Sequence, residues 1–177
     1  MLMSNRSQLA TQIKNCAQLS GTFTLRSGVT SDTYFDKYLF ESDPVLLKQI
    51  AEAMADLLPE NTEVLAGLEM GGIPVVSLLS QVTGLPAAFI RKEAKTYGTC
   101  KFAEGIELTG KNVVLVEDVV SSGGAILDAL TKLRSSGIEP VCAVCVIDRQ
   151  TGGAEALQAE NLELRSVLTM QDIADIA

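Results

Sequence analysis

Apolar positions along the chain alternate between two periods. From Ser4 to about Leu19, the residues Leu9, Ile13 and Cys16 recur at helical spacing, with Ser4 or Asn5 as the expected cap. Residues 20–36, SGTFTLRSGVTSDTYFD, are turn-rich and lean towards strand. Ser42-Asp43-Pro44 then opens a helix whose apolar face is Leu46, Leu47, Ile50, Met54, Leu57 and Leu58, with Pro59 as its stop. Beyond it, short aliphatic runs at 63–68, 87–91, 113–118, 140–147 and 164–168 read as strands. Helical stretches at 74–82, 124–134 and 154–159 fall between them, and Gly137 closes the second. Strands alternating with helices predict an α/β fold, a mostly parallel central sheet flanked by helices. The strands show little polar alternation, which fits a sheet covered on both faces. The polar segment 92–110, KEAKTYGTCKFAEGIELTG, breaks the pattern. It is either a long functional loop or a β-hairpin arm.

At 177 residues the chain fits one domain with one core, and 47% apolar against 20% charged residues is a globular composition. The net charge of −8 argues against nucleic acid as a partner, since that contact needs a basic surface. The N-terminal segment lacks the long apolar core of a signal peptide, and no apolar run nears the roughly 18 residues of a membrane span. The sequence therefore reads as cytoplasmic, with no membrane partner. Cys142 and Cys145 form a C-x-x-C, but on a strand, where residues three apart face opposite sides. Buried hydrophobes account for them better than a metal or redox pair. Cys100, in the polar segment, reads as a plain loop cysteine or an oxidisable one. The chain has no histidine, so any acid–base chemistry falls to Asp, Glu, Lys, Tyr or Cys.

Candidate chemistry concentrates at strand ends. In VVLVEDVVSSGGA (113–125), Glu117 and Asp118 end a core strand, and Val119, Val120, Ser121, Ser122, Gly123, Gly124 and Ala125 lead into a helix. Backbone N–H groups and a helix dipole suit a phosphate there, while the acids would repel it. A ligand with a phosphate at one end and hydroxyls or Mg²⁺ at the other resolves the conflict. A capped strand–helix turn with solvated acids is the plain alternative. Arg91, Lys92 and Lys95 gather positive charge suited to a diphosphate, or form an ordinary solvated loop. Gly67 to Pro74, with Met70 and Gly71, is a tight turn whose bare N–H groups could cradle a second phosphate. In residues 23–36, Tyr34 and Phe35 offer faces for a planar base, although burial is the commoner role of aromatics. Arg149, past another strand end, suits a carboxylate.

These five stretches, in this order, resemble the type I phosphoribosyltransferases, and 113–125 resembles their phosphoribosyl-diphosphate signature. RKEAKTYG (91–98) is similar to the R-K-x-x-K-x-H-G loop of the orotate-using members, with Tyr97 where that pattern has histidine. Residues 23–36 are similar to their F-x-L-x-S-G-x-x-S-x-x-Y-x-D opening, with Arg26 where lysine is usual, and Asp148-Arg149 to their D-R-x-x-G pattern. The resemblance implies an N-terminal hood of about residues 1–40 on a core of about 41–177. It implies transfer of a phosphoribosyl group from phosphoribosyl diphosphate to orotate, with Lys95, Arg26 and Asp118 as catalytic residues. Arg91, Lys92 and Tyr97 would bind diphosphate, with Met70 and Gly71. Glu117 and Asp118 would hold ribose hydroxyls, residues 121–125 the 5-phosphate, with Val119 and Val120 beside them in the substrate-binding loop, and Arg149, Ser121, Tyr34 and Phe35 the orotate. It further implies a Mg²⁺ cofactor, held mainly by the substrate with Asp118 as the protein group nearest to hand. A homodimer sharing the basic loop is the implied assembly. A purine or uracil phosphoribosyltransferase, or a non-catalytic sensor of phosphoribosyl diphosphate, are the competing functions.

Overall fold

The computed structural model describes residues 2–24, 28–94 and 101–176. Arg26, Lys95, Tyr97 and Cys100, named above, lie outside the described residues. Helix α1 (Leu2–Ala17) leads into an antiparallel hairpin of β1 (Gln18–Thr24) and β2 (Thr30–Phe35). Two helices follow, α2 (Lys37–Ser42) and α3 (Pro44–Ala55). The remainder runs β3 (Val64–Leu68), α4 (Gly72–Thr83), β4 (Ala87–Ile90), β5 (Ala103–Gly105), β6 (Val113–Val120), α5 (Gly124–Ser135), β7 (Cys142–Asp148), α6 (Gly153–Ala159), β8 (Leu164–Thr169) and α7 (Met170–Ala174).

The main sheet has the order β5-β4-β3-β6-β7-β8, parallel throughout except for the β4–β5 pair. The antiparallel β5 means that part of the polar segment 92–110 is indeed the returning arm of a hairpin. From β3 the chain crosses through α4 to β4 on one side; from β6 it crosses through α5 to β7 on the other. The strand order therefore reverses between β3 and β6, which opens a crevice beyond their carboxyl ends.

Two apolar clusters cover the sheet. One face carries α1, α3 and α4, with Ile13, Ile50, Met54, Val75 and Leu79 packed on Leu65, Val114, Val116, Val144 and Val146. On the other, α5 and α6 place Ile126, Leu130, Leu133 and Leu157 against Leu115, Ala143 and Cys145. Cys142 belongs to the first cluster and Cys145 to the second, so the C-x-x-C is split across the sheet as strand geometry requires. Burial pushes the Cys142 thiol up to about 11, that of an inert core cysteine.

Several local expectations change. Helix α1 begins at Leu2, which puts Ser4 and Asn5 inside its first turns rather than at its cap. The expected helix after Ser42 has Asp43 as its cap, accepting from the Val45 and Leu46 N–H groups, with Pro44 at the first turn. Helix α2 was not legible as a helix. The Asp36 side chain caps it, and Phe40, fully buried against Phe35, pins it to the core. Helix α7 opens with a capping box between Thr169 and Asp172. Among the described residues no helix is long and apolar enough to cross a membrane.

Leu115 is fully buried at the centre of β6. Leu115→Ala is expected to lower unfolding free energy by about 2–5 kcal/mol, the cost of a core cavity. Val82→Ala, on the exposed side of α4, should stay within about 0.5 kcal/mol. Denaturant unfolding of both variants checks this.

Candidate functional site

The site is built where β3 stops and β6 does not. Strand β6 pairs with β3 only as far as Val116, but with β7 as far as Val120. Glu117 and Asp118 are therefore not at the end of their strand, as the sequence implied. They lie within it, on the stretch that runs past β3. The turn after β3 folds back over this stretch. A Cβ on Gly71 would lie 1.8 Å from Asp118 Oδ2, so only glycine lets the backbone come so close. The Glu69–Met70 peptide bond in this turn is cis, and the Met70 side chain is largely exposed.

Three helices open along this sheet edge with glycine and without a side-chain cap: α4 at Gly71, α5 at Gly123 and α6 at Gly152. By contrast α2, α3 and α7 are capped by Asp36, Asp43 and Thr169. Uncapped N-termini leave N–H donors and the positive end of the helix dipole free for an anion. Gly123, at φ +79°, takes the left-handed conformation that turns the 119–122 backbone into α5. The pocket around residues 119–126 measures about 180 Å³ and is bounded on one side by Glu117.

Beneath it lies a cluster of charge. Asp118 is fully buried; its Oδ1 accepts from the Val119 N–H at 2.6 Å and its Oδ2 faces the Lys37 ammonium at 2.6 Å. Glu117 Oε1 accepts from the Asp118 N–H at 3.0 Å. Glu41, one helical turn after Lys37 on α2, is also buried, and neither of its carboxyl oxygens has a well-formed hydrogen bond among the described residues. Burial, and then the adjoining Asp118 carboxylate, push the Glu41 carboxyl up to about 9. Burial and the Asp118 charge likewise hold Glu117 well above the usual carboxylate range. For Asp118 burial acts in the same direction, but the protons offered by Glu41, Glu117 and Lys37 outweigh it and hold its carboxyl below the ordinary value. For Lys37, burial is outweighed by Asp118, and its ammonium is held above the ordinary value. Protons in this cluster are therefore drawn towards Glu41 and Glu117 and away from Asp118.

Two further clefts adjoin the phosphate-sized pocket. One, of about 840 Å³, lies under the β1–β2 hairpin and brings together Tyr34, Phe35, Lys37, Arg149 and Ser121; it shares Val119 and Ser121 with the pocket. Tyr34 stacks near Phe23 at 5.5 Å between ring centroids, while Phe35 turns towards the core. Arg149 is exposed, its backbone N–H bonded to Val120 O at 2.8 Å, which ties the loop after β7 to the end of β6. The other cleft, of about 270 Å³, holds Arg91, Lys92 and Lys132 with Glu69 and Asp128, and shares Ala125 with the pocket. There the Lys92 N–H donates to Glu69 Oε1 at 2.6 Å, linking the basic segment to the turn after β3.

The sequence-named residues that are described thus converge from loops at one edge of the main sheet and from strand β2 of the hairpin beside it. Arg149, Ser121, Tyr34 and Phe35 share one cleft; Ser122, Gly123, Gly124 and Ala125 line the pocket; Arg91 and Lys92 line the third space. Asp118 stands behind these walls under Lys37. Sequence reasoning missed Lys37, Glu41 and Lys132. The four-residue spacing of Lys37 and Glu41 was a signal that both share a helix face, but nothing local paired that face with β6. Among the described residues no group of three or more His, Cys, Asp or Glu is arranged to hold a metal ion. With Asp118 facing an ammonium, a divalent cation fits here only on oxygens that a substrate brings.

Comparison with known proteins follows the same lines. A family model described as phosphoribosyl transferase domain matches residues 40–162. The chain is 49% identical over 165 residues to an orotate phosphoribosyltransferase of Nocardioides sp., covering 93% of this chain and 92% of that protein. It is 42% identical over 153 residues to one from Methanocella arvoryzae, covering 86% and 87%. The solved orotate phosphoribosyltransferase of Mycobacterium tuberculosis in complex with inorganic phosphate matches with a TM-score of 0.86 at 32% identity, over 97% of this chain and 99% of that one. The same enzyme in complex with 5-phospho-alpha-D-ribosyl 1-diphosphate matches at 0.82 and 31% identity, over 96% and 99%.

Two outcomes follow from the buried cluster. Gly71→Ala should displace either Asp118 or the 69–72 turn and cost about 1–3 kcal/mol of stability, read by denaturant unfolding. Glu41 takes up a proton more readily folded than unfolded, where its ordinary value is 4.5. Folding stability therefore falls as pH rises from that value towards about 9. Glu41→Gln should flatten this fall without abolishing it, because Glu117 is raised as well. Unfolding measured across that pH range checks the slope.

Proposed function

Since the chain belongs to the phosphoribosyltransferase family, and its orotate-using relatives align with it nearly end to end, we propose that it transfers the 5-phosphoribosyl group of phosphoribosyl diphosphate to orotate. Orotidine 5′-phosphate and diphosphate are the products, and the step serves pyrimidine nucleotide synthesis. The observation that carries this reading is the placement, on one sheet edge, of an uncapped helix N-terminus beside a carboxylate and an arginine-bearing aromatic cleft.

The chemistry follows the charges. The bond from ribose carbon 1 to the diphosphate oxygen breaks, its electron pair leaving with diphosphate, and a bond from the orotate ring nitrogen to that carbon forms as the N–H proton of that nitrogen leaves to solvent or to the departing diphosphate. Positive charge develops on the sugar and negative charge on the leaving group. The 121–125 backbone and the α5 dipole hold the 5-phosphate. Asp118, with Glu117, accepts the ribose hydroxyls and lies near the developing positive charge. The α4 N-terminus and the cations Arg91 and Lys92 face the diphosphate, together with Arg26, Lys95 and Tyr97 from the segments outside the described residues. Arg149 pairs with the orotate carboxylate, and Tyr34, Phe35 and Ser121 fix its ring. The ring N–H of orotate is weakly acidic and its proton can pass to solvent or to the departing diphosphate, so the reaction does not require a histidine base, which this chain lacks. A bound Mg²⁺ would be held mainly by the substrate rather than by a set of protein ligands, and would offset charge on the leaving group. The same proposal includes a cytoplasmic homodimer in which the basic loop of one subunit serves the site of its partner.

A purine or uracil substrate would leave Arg149 without its carboxylate, and a sensor would need no leaving-group cations. Mixing the protein with Mg²⁺, phosphoribosyl diphosphate and orotate should consume orotate absorbance, whereas uracil, adenine and hypoxanthine should not react. Arg149→Ala should raise the KM for orotate by about tenfold to a hundredfold, the loss of a charge-assisted contact, with a smaller change in the KM for the sugar donor. Turnover with uracil in preference to orotate would refute the assignment.

A further inference from the structure

Lys37 belongs to none of the motifs that mark the site, yet its side chain makes the closest contact with the buried acid. It is the first residue of α2, whose start is fixed by the Asp36 cap and whose seat is fixed by fully buried Phe40. Its ammonium lies 2.6 Å from Asp118 Oδ2 and 5.2 Å from the centre of the Tyr38 ring, so a carboxylate and an aromatic face hold it together. Asp118 is pinned on every side. The Val119 N–H holds Oδ1, Lys37 holds Oδ2, and the bare backbone of Gly71 presses on the same oxygen. The Lys37 side chain is one-third exposed while that of Asp118 is 1% exposed, so the lysine forms the surface through which the cleft meets the acid.

We propose that Lys37 is a positioning residue for the sugar donor: its ammonium orients the Asp118 carboxylate and balances its charge, so that this group can accept the ribose hydroxyls. The proposal rests on the transferase reading above. Three carboxyls, Glu41, Glu117 and Asp118, act on one another here, and Lys37 is the cation that acts on all of them. A buried carboxylate stripped of its counter-ion is strongly disfavoured. Without Lys37, Asp118 would be free to rotate from its Oδ2 contact and would meet a polyanionic donor with nothing to offset its own charge.

The test uses Lys37→Met and, as a second variant that keeps a hydrogen-bond donor without the charge, Lys37→Gln. Exposed Lys48→Met on α3 is the control. Calorimetric titration with phosphoribosyl diphosphate and Mg²⁺ reads donor binding; initial rates read both KM values. Removal of the ammonium is expected to weaken donor binding, and raise the donor KM, by about tenfold or more. The orotate KM at saturating donor should stay within about twofold, and Lys48→Met should behave as wild type. In an Asp118→Asn background Lys37→Met should add less than about twofold, because the lysine acts through the acid. Donor binding within twofold of wild type in a folded Lys37 variant overturns the proposal. So does a rise in the orotate KM alone, or a loss that is fully additive with Asp118→Asn. Wild-type protein that binds no donor removes the transferase reading as well, which separates the two failures.

Discussion

The constraint on which the site depends is the burial of one carboxylate beside a single ammonium at the reversal point of the sheet. Asp118 is buried where β6 places it, and the Lys37 contact, the Val119 N–H and its acidic neighbours together favour its charged form. Each surrounding feature serves that arrangement. Strand β3 ends early enough for the turn after it to fold over the stretch from Glu117, Gly71 brings backbone where any side chain would collide, and α2 is short and firmly seated.

This arrangement also explains how a chain of charge −8 can present an anion site. The positive potential is local and comes largely from backbone. Helices α4 and α5 point uncapped N-termini at the crevice, and burial raises the nearby Glu41 and Glu117 carboxyls above the usual carboxylate range, which favours their uncharged forms. Side-chain cations are added at the margins, Arg149 on one side and Arg91, Lys92 and Lys132 on the other. The same edge therefore carries three adjoining spaces that, among the described residues lining them, share only Val119, Ser121 and Ala125.

The hairpin of β1 and β2 has a different character from the sheet. Most of its residues are exposed, and it touches the core through Phe35 and little else. It contributes Tyr34 and Phe35 to the large cleft while the rigid sheet contributes Ser121 and Arg149. A wall carried on a light hairpin over a floor carried on buried strands is a sensible division. The floor holds buried charge in fixed geometry, whereas the wall is mostly exposed.

The alternation of aliphatic runs and helical stretches determined the parallel sheet, its two covered faces and the division of Cys142 from Cys145, because strand and helix periods are local properties of the chain. The 113–125 signature likewise carried its meaning in sequence, since a strand, a glycine turn and a helix N-terminus are adjacent along the backbone. Helix α2 was not legible: its six residues hold too little pattern, and Phe40 declares it only by being buried. The extension of β6 past Asp118 was decided by pairing with β7, a neighbour the local sequence does not contain. For the same reason the partnership of Lys37, Glu41 and Asp118 belonged to the tertiary structure alone. Residues nearly eighty positions apart meet only when the sheet is formed, and the protonation that makes them compatible exists only once water has been excluded.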